Sequence, residues 1–290
     1  MTPEPRAVAV GILKGGFGKT TTALNLAREL AHRTESALVV DLDDNGHMTL
    51  NLGFDEEYRG DCWGTNHTAD VLLGDSDPRE HIVTVTDGLD LFPAHVDLED
   101  VQSGLKEATM GTTRLKEELV DGLLGDEYDY IVIDCPANRG KLNDNAMYAT
   151  GNIMIPLRPE NGYETGLTNT VQRLILEARE YFELDILAVL PTDLSDRIDQ
   201  DTRDRRLLRE MTTRDGVAKH VPNFAYLSAD DWDQIDNGEY DGPLPGIRHR
   251  AAIDNANDQG LPLRDYDADC DQLDHYAELA QIVEAGEVDR

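Results

Sequence analysis

The sequence predicts an α/β fold: a doubly wound, mostly parallel sheet with helices on both faces. Three observations carry that expectation. A short apolar run, residues 7–13, leads into the glycine-rich "KGGFGK" and straight on into a helical stripe with apolar residues at 23, 24, 26, 27, 30 and 31. The strand-like segments are apolar throughout instead of alternating, as strands covered on both faces of a parallel sheet must be. Strand and helix patterns then follow one another to about residue 192, the order of successive βαβ units.

In chain order, "AVAVGIL" is the first strand and "KTTTALNLARELAHR" the first helix. "SALVVDLDD" is a second strand, fully apolar until it ends in carboxylates, and "LDLFPA" (89–94) is a third. Helical "DLEDVQSGL" and "TTRLKEELVDGLL" precede "YDYIVIDCPA", a strongly buried strand. "GNIMIPL" (151–157) and "LDILAVLPT" (184–192) are two more, separated by the amphipathic "TGLTNTVQRLILEAREYF". Beyond 192, "SDRIDQDTRDRRLLREMTTRDG" mixes both charges and reads as helix. Residues 222–245 are acidic, turn-rich and aperiodic, so a surface insertion is expected there. "CDQLDHYAELAQIVEA" regains helical period and is expected to pack back on the sheet, giving one domain over residues 1–290.

Charge is the outlier of the composition. The chain has 58 acidic and 26 basic residues, a net charge of −32, and only six of the basic residues are lysine. Disorder is excluded as the general state because 40% of residues are hydrophobic and periodic. Many carboxylates with few lysines predict a halophilic cytoplasm, where salt screens the self-repulsion. Cys62, Cys135 and Cys270 lie far apart, against a disulfide scaffold or zinc module and in favour of a reducing cytosol. No apolar run approaches about 18 residues and the N-terminus has no secretory apolar region, so a soluble cytoplasmic protein with no membrane contact is expected.

The glycine-rich segment meets the phosphate-loop pattern G-x-x-x-x-G-K-[ST] except at its first position, where Leu13 stands. A strand end there needs no positive φ, so the substitution is tolerable. A loop between a strand and a helix aims the backbone N–H groups of Gly15, Gly16, Phe17 and Gly18 at one point, where the helix dipole adds positive potential. Lys19 then reaches the β- and γ-phosphates, the Thr20 hydroxyl ligates Mg²⁺, and Thr21 adds a hydroxyl to the α-phosphate. A bare glycine turn capping a helix is the plain alternative, disfavoured by Lys19 and Thr20 following directly. Asp134 ends "YIVID", where it emerges beside the loop and can hold the Mg²⁺ water shell. Asp41 and Asp43 are two apart in a strand and share a face, so both are expected toward the same site. Solvated strand-end carboxylates remain the alternative for these aspartates. A base-contacting edge is expected near Pro191 and Thr192.

At this point the residues resemble a known family. "KGGFGKTTT", "VVDLDDNGHMTLNLG" and "YDYIVIDCPANRGKLNDNAM" are similar to the signature segments of the deviant Walker A ATPases, and within them of the ParA/Soj partition proteins. Weaker likeness runs over nearly the whole chain outside 222–245. The resemblance implies ATP and Mg²⁺ as ligands, slow hydrolysis stimulated by a ParB-like or adaptor partner, and a homodimer in the ATP state. Lys14 would cross the dimer interface to the partner's phosphates, Asp43 would orient the attacking water, and Asp134 would support Mg²⁺, with Lys14, Lys19 and Asp43 as the catalytic set and Thr20, Asp43 and Asp134 as the metal set. The ATP dimer would bind DNA non-specifically, on the nucleoid, to segregate chromosome or plasmid DNA. Asp44-Asn45 departs from the family's usual Pro-Gln, and Ala137-Asn138 from Pro-Ser, which bears on partner stimulation but on no phosphate ligand.

For DNA, the arginine-rich places are "RDRRLLR" (Arg203, Arg205, Arg206, Arg209) and "IRHR" (Arg248, Arg250), with Arg206, Arg209, Arg248 and Arg250 as candidates. The alternative is a solvated face paired with its own aspartates. Other members of the scaffold position a protein cargo such as a chemosensory array. A MinD-like membrane switch is opposed by the acidic tail "AELAQIVEAGEVDR". An electron-transfer iron protein is opposed by Cys135 having no evident partner.

Overall fold

A computed structural model describes residues 4–196 and 202–289. Seven strands form one sheet: β1 (Arg6–Val10), β2 (Ala37–Asp41), β3 (Val83–Thr86), β4 (Leu89–Phe92), β5 (Tyr130–Asp134), β6 (Asn152–Leu157) and β7 (Asp185–Pro191), in the order β3-β4-β2-β5-β1-β6-β7. Every neighbouring pair is parallel except the β3–β4 hairpin at one edge. The mostly parallel sheet with helices on both faces is as the sequence predicts.

Successive residues of the central strands serve opposite faces, and both faces are covered. Ala7 and Ala9 of β1, Leu38 and Val40 of β2, and Ile131 and Ile133 of β5 enter one core layer. Val8, Val10, Val39 and Val132 enter the other, against the helix Lys19–Thr34 (α1) and the C-terminal helix Leu273–Ala285. A strand buried on both faces has no polar position, so the period of two disappears from the sequence.

Two expectations change. β3, "VTVT", is half-exposed and antiparallel, and the sequence reading passed over it. Residues 222–245 are not an aperiodic loop. They include a helix, Ala229–Asn237, opened by a capping box in which Ser228 and Asp231 exchange side-chain and backbone hydrogen bonds. Trp232 and Ile235, three apart on that helix, are buried in the first core layer, so only the outer face is acidic. Within the segment expected to be helical, Thr202–Thr213 is a helix, and residues 197–201 lie outside the described residues.

Because the central strands are parallel, their carboxyl ends meet along one edge, where ligands of such sheets bind. β1 delivers the glycine loop there, β2 and β5 bring Asp41 and Asp134 into register with each other, and β6 and β7 run on into Arg158 and Thr192–Asp193.

Candidate functional site

The loop between β1 and α1 turns on Gly16 (φ 79) and Gly18 (φ 77), both left-handed, a region that a side chain disfavours. Gly18 caps α1. A Cβ on it would also lie 3.2 Å from the Thr192 hydroxyl, so the loop packs against the end of β7. A cavity of about 340 Å³ opens over the loop, lined by Gly15, Gly16, Phe17, Gly18, Lys19, Thr20, Thr21, Asp43 and Asn45 among others. A second, of about 260 Å³, is lined by Thr192, Ile247 and Tyr276. Gly18, Thr21, Arg158 and Asn257 line both, which makes them two halves of one cleft. The first half is the side expected for phosphates, and the second contains the edge expected for a base, with Thr192 in its wall.

Asp134 is wholly buried at the end of β5, and its carboxylate oxygens have no well-formed hydrogen bond, with the Thr20 hydroxyl lying close by. Burial raises its pKa well above the carboxylate range and nearby Asp41 adds to this, while Lys19 and Thr20 favour the charged form. A buried carboxylate so poorly supplied with hydrogen bonds is costly, and a hydrated cation held by Thr20 and Asp134 would offset that cost. Among the described residues no group of three His, Cys, Asp or Glu side chains is placed to hold a metal. Mg²⁺ held with nucleotide phosphates needs only one or two protein oxygens, so the residues present fit it.

Asp43 lies at the mouth of the phosphate half. Its Oδ1 accepts the Asn45 N–H at 3.1 Å and the Asn45 side-chain amide at 2.8 Å. Burial acts to raise its pKa, but the Asn45 bonds and Lys19 outweigh it and hold Asp43 below the ordinary value. An ionised carboxylate there is suited to orienting a water. Asp41 has another role than the shared face suggests: its oxygens are occupied by Thr49 and by the Asp43 N–H, and it does not line the cavity.

Lys14 stands apart from the cradle. It is absent from the cavity lining, and its Nζ lies so close to Gly162 that a Cβ there would be 2.9 Å away. The ammonium is 5.7 Å from the Phe17 ring centroid and enters no ion pair among the described residues. Its ammonium therefore lies outside the cavity over the loop.

The proposed DNA arginines are heavily engaged. Arg248 is a correction: it is 1% exposed, donates from its backbone N–H to Gln272 at 2.6 Å and from Nη1 to the Ser195 carbonyl, and forms part of the cleft wall. A side chain so enclosed offers nothing to a DNA backbone. Arg250 pairs with Asp271 and Asp196, and Arg206 with Glu164. Arg209 pairs with Asp236 at 2.8 Å and lies 4.6 Å over the Trp232 ring, with Arg205 on the other oxygen of Asp236. The sequence reading missed Arg158, Asp193 and Asn257. Each sits singly on a loop or helix face, and the one available signal was the position of Arg158 and Asp193 just past strand ends. No helix among the described residues is long and apolar enough to cross a membrane.

The family model AAA_31, an AAA domain, matches residues 5–184. The chain is similar to the chromosome partitioning protein ParA of Caulobacter vibrioides, with 31% identity covering 100% of this chain and 98% of the relative. It is also similar to the sporulation initiation inhibitor protein Soj of Bacillus subtilis, with 34% identity over 66% of this chain and 74% of Soj. Among solved structures, cobyrinic acid a,c-diamide synthase from Mycobacterium smegmatis, with bound ADP and magnesium, superposes with a TM-score of 0.67 at 27% identity, covering 91% and 93% of the two chains. McdA of Cyanothece gives a TM-score of 0.74 over 96% and 98% of the chains, and at 20% identity it bears on the fold alone. With the glycine loop, the strand-end aspartates and a relative matched along its whole length, the chain belongs to the ParA/Soj-type P-loop ATPases.

Proposed function

We propose that this protein is an Mg-ATP-dependent switch that dimerises on ATP, binds DNA non-specifically in that state, and is released by slow hydrolysis that a ParB-like or adaptor protein stimulates. The observation that carries the reading is the wholly buried Asp134, without a well-formed hydrogen bond and close to Thr20 and Lys19, under a loop whose cavity also meets Asp43. The magnesium bound in the similar cobyrinic acid a,c-diamide synthase and the partitioning role named for the Caulobacter relative both support it.

In this reading the loop N–H groups and Lys19 bind the phosphates, and Thr20 and Asp134 would hold Mg²⁺, which would supply charge neutralisation at the phosphoryl group. Asp43 holds a water in line by accepting its proton in a hydrogen bond. Lys14, with no task in its own cradle, reaches the partner's nucleotide, so that two half-sites close only together. The cargo is DNA, chromosome or plasmid, through arginines of the helix Thr202–Thr213 and Arg250. Protein cargo, carried with DNA as the matrix, is the second outcome of the test. That test is release of phosphate from Mg-ATP by the purified protein with and without duplex DNA, alongside DNA binding with ATP and ADP. Hydrolysis with ATP-selective DNA binding that a ParB-like protein releases supports the proposal, the same DNA binding released by an unrelated adaptor points to the cargo reading, and hydrolysis without any DNA binding refutes both. No hydrolysis refutes the switch.

A further inference from the structure

Arg158, just past the end of β6, ties three loops of the cleft together. Its Nη1 donates to the Gly16 carbonyl at 2.8 Å and its Nη2 to Asp193 Oδ2 at 2.5 Å. The other oxygen of Asp193 bonds His249 Nδ1 at 3.0 Å. Asp193 holds a left-handed backbone (φ 57), uncommon for a residue with a side chain. Its neighbours fix that conformation: the Thr192 N–H donates to the Leu157 carbonyl at 2.7 Å, Leu194 N–H to Ile247 at 3.1 Å, and His249 N–H to Leu194 at 2.8 Å. Arg158 thus connects the glycine loop of β1 to rigid backbone after β7, at the seam where both halves of the cleft meet.

The peptide that Arg158 grips matters. A trans peptide is planar, so holding the Gly16 carbonyl fixes the plane of the Gly16–Phe17 peptide and with it the direction of the Phe17 N–H. Gly16, like Gly18, has no side chain and a left-handed φ, so no side chain of its own fixes its peptide.

We propose that Arg158, braced by Asp193, is a positioning residue that holds the phosphate loop in its binding shape before nucleotide arrives. This rests on the nucleotide reading of the cleft. A pre-set loop lowers the ordering cost of binding, and the fork of a guanidinium spans two acceptors in a way that an ammonium does not.

The experiment compares wild type, Arg158→Ala, Arg158→Lys, Asp193→Ala and the Arg158→Ala/Asp193→Ala pair. Amide hydrogen exchange of Gly16–Lys19 is measured without nucleotide, and KM and kcat are measured for Mg-ATP. Arg158→Ala and Asp193→Ala are each expected to speed exchange and raise KM about tenfold, the scale of one charged hydrogen bond, with kcat falling much less. The pair is expected to be no worse than Arg158→Ala, since both act through one contact, and Lys is expected not to rescue. Unchanged exchange in Arg158→Ala overturns the proposal, as does full restoration of KM by Lys, which would make the residue a plain charge on the phosphates. Additive losses in the pair also overturn it. If wild type binds no Mg-ATP the nucleotide reading falls, while hydrogen exchange still decides whether Arg158 orders the loop.

Discussion

Thr49 gives the buried Asp41 carboxylate two hydrogen bonds on one oxygen, its N–H at 3.0 Å and its hydroxyl at 2.7 Å. The other oxygen takes the Asp43 N–H at 3.1 Å, and the Thr49 hydroxyl in turn accepts the Ala94 N–H at 2.9 Å. Burial raises the Asp41 pKa to about 6 against the pull of these bonds. The turn that presents Asp43 is therefore built by a carboxylate that never reaches the phosphate cavity. Thr49→Val is expected to cost about 1–3 kcal/mol, because it strips a bond from a buried acceptor, and to slow turnover while leaving ATP affinity nearly intact. Denaturant unfolding and steady-state phosphate release measure the two effects. A destabilised variant with full turnover would show that this bracket does not position Asp43.

Asp43 itself is expected to be needed for hydrolysis and not for binding. Asp43→Ala should retain Mg-ATP and lose about a hundredfold or more in turnover, the usual scale for removing a group that orients or deprotonates the attacking water. Equilibrium binding of a fluorescent ATP analogue and phosphate release separate the two quantities. Normal turnover would remove Asp43 from the chemistry.

Much of this architecture was legible because burial on both faces leaves continuous apolar runs, and because the glycine loop has a fixed spacing to Lys19 and Thr20. β3 escaped because "VTVT" is short, half-exposed and at an edge, where packing imposes little pattern. The helix Ala229–Asn237 escaped because only Trp232 and Ile235 anchor it among many carboxylates, although Ser228 and Asp231 carried the spacing of a helix start. Arg248 was misplaced because two arginines only two residues apart read as surface, whereas here Arg248 is enclosed as part of the cleft wall. Arg158 and Asp193 had no motif at all, since their relation exists only between loops that the sheet brings together.

The arginine face should respond to its own carboxylates. Asp236 holds both Arg205 and Arg209, so Asp236→Asn is expected to raise DNA affinity several-fold and steepen its salt dependence, as more phosphate contacts form. Arg248→Ala is expected to lower stability without changing that salt slope. Fluorescence anisotropy with a labelled duplex over a salt series tests both. Unaltered DNA affinity in Asp236→Asn would count against this face.

Acid should weaken the lobe that carries His67, His81 and His95. These rings are buried and lie 5.4–5.7 Å apart around His67, with Trp63 packed edge-on against His67 and His81. Burial lowers all three pKa values, His67 to about 4, and the nearby Asp70, Asp77, Glu80 and Asp97 only partly offset it. The unfolded chain therefore binds more protons below about pH 6.5, so stability is full above that pH and is lost as pH falls toward 4, with His67 alone worth about 3 kcal/mol. Thermal unfolding between pH 7 and 4 at constant salt reads this, and His67→Leu should flatten the decline. A wild-type profile without a decline would contradict it.

The most direct test of the switch concerns Lys14, whose ammonium lies against Gly162 instead of in its own phosphate cradle. Light scattering in high-salt buffer, with Mg-ATP and without, is measured for wild type and Lys14→Ala. A wild-type dimer that forms only with Mg-ATP, and a Lys14→Ala protein that binds ATP but stays monomeric, is the predicted result. A wild type that stays monomeric with ATP, or an equally strong dimer in Lys14→Ala, would contradict the account.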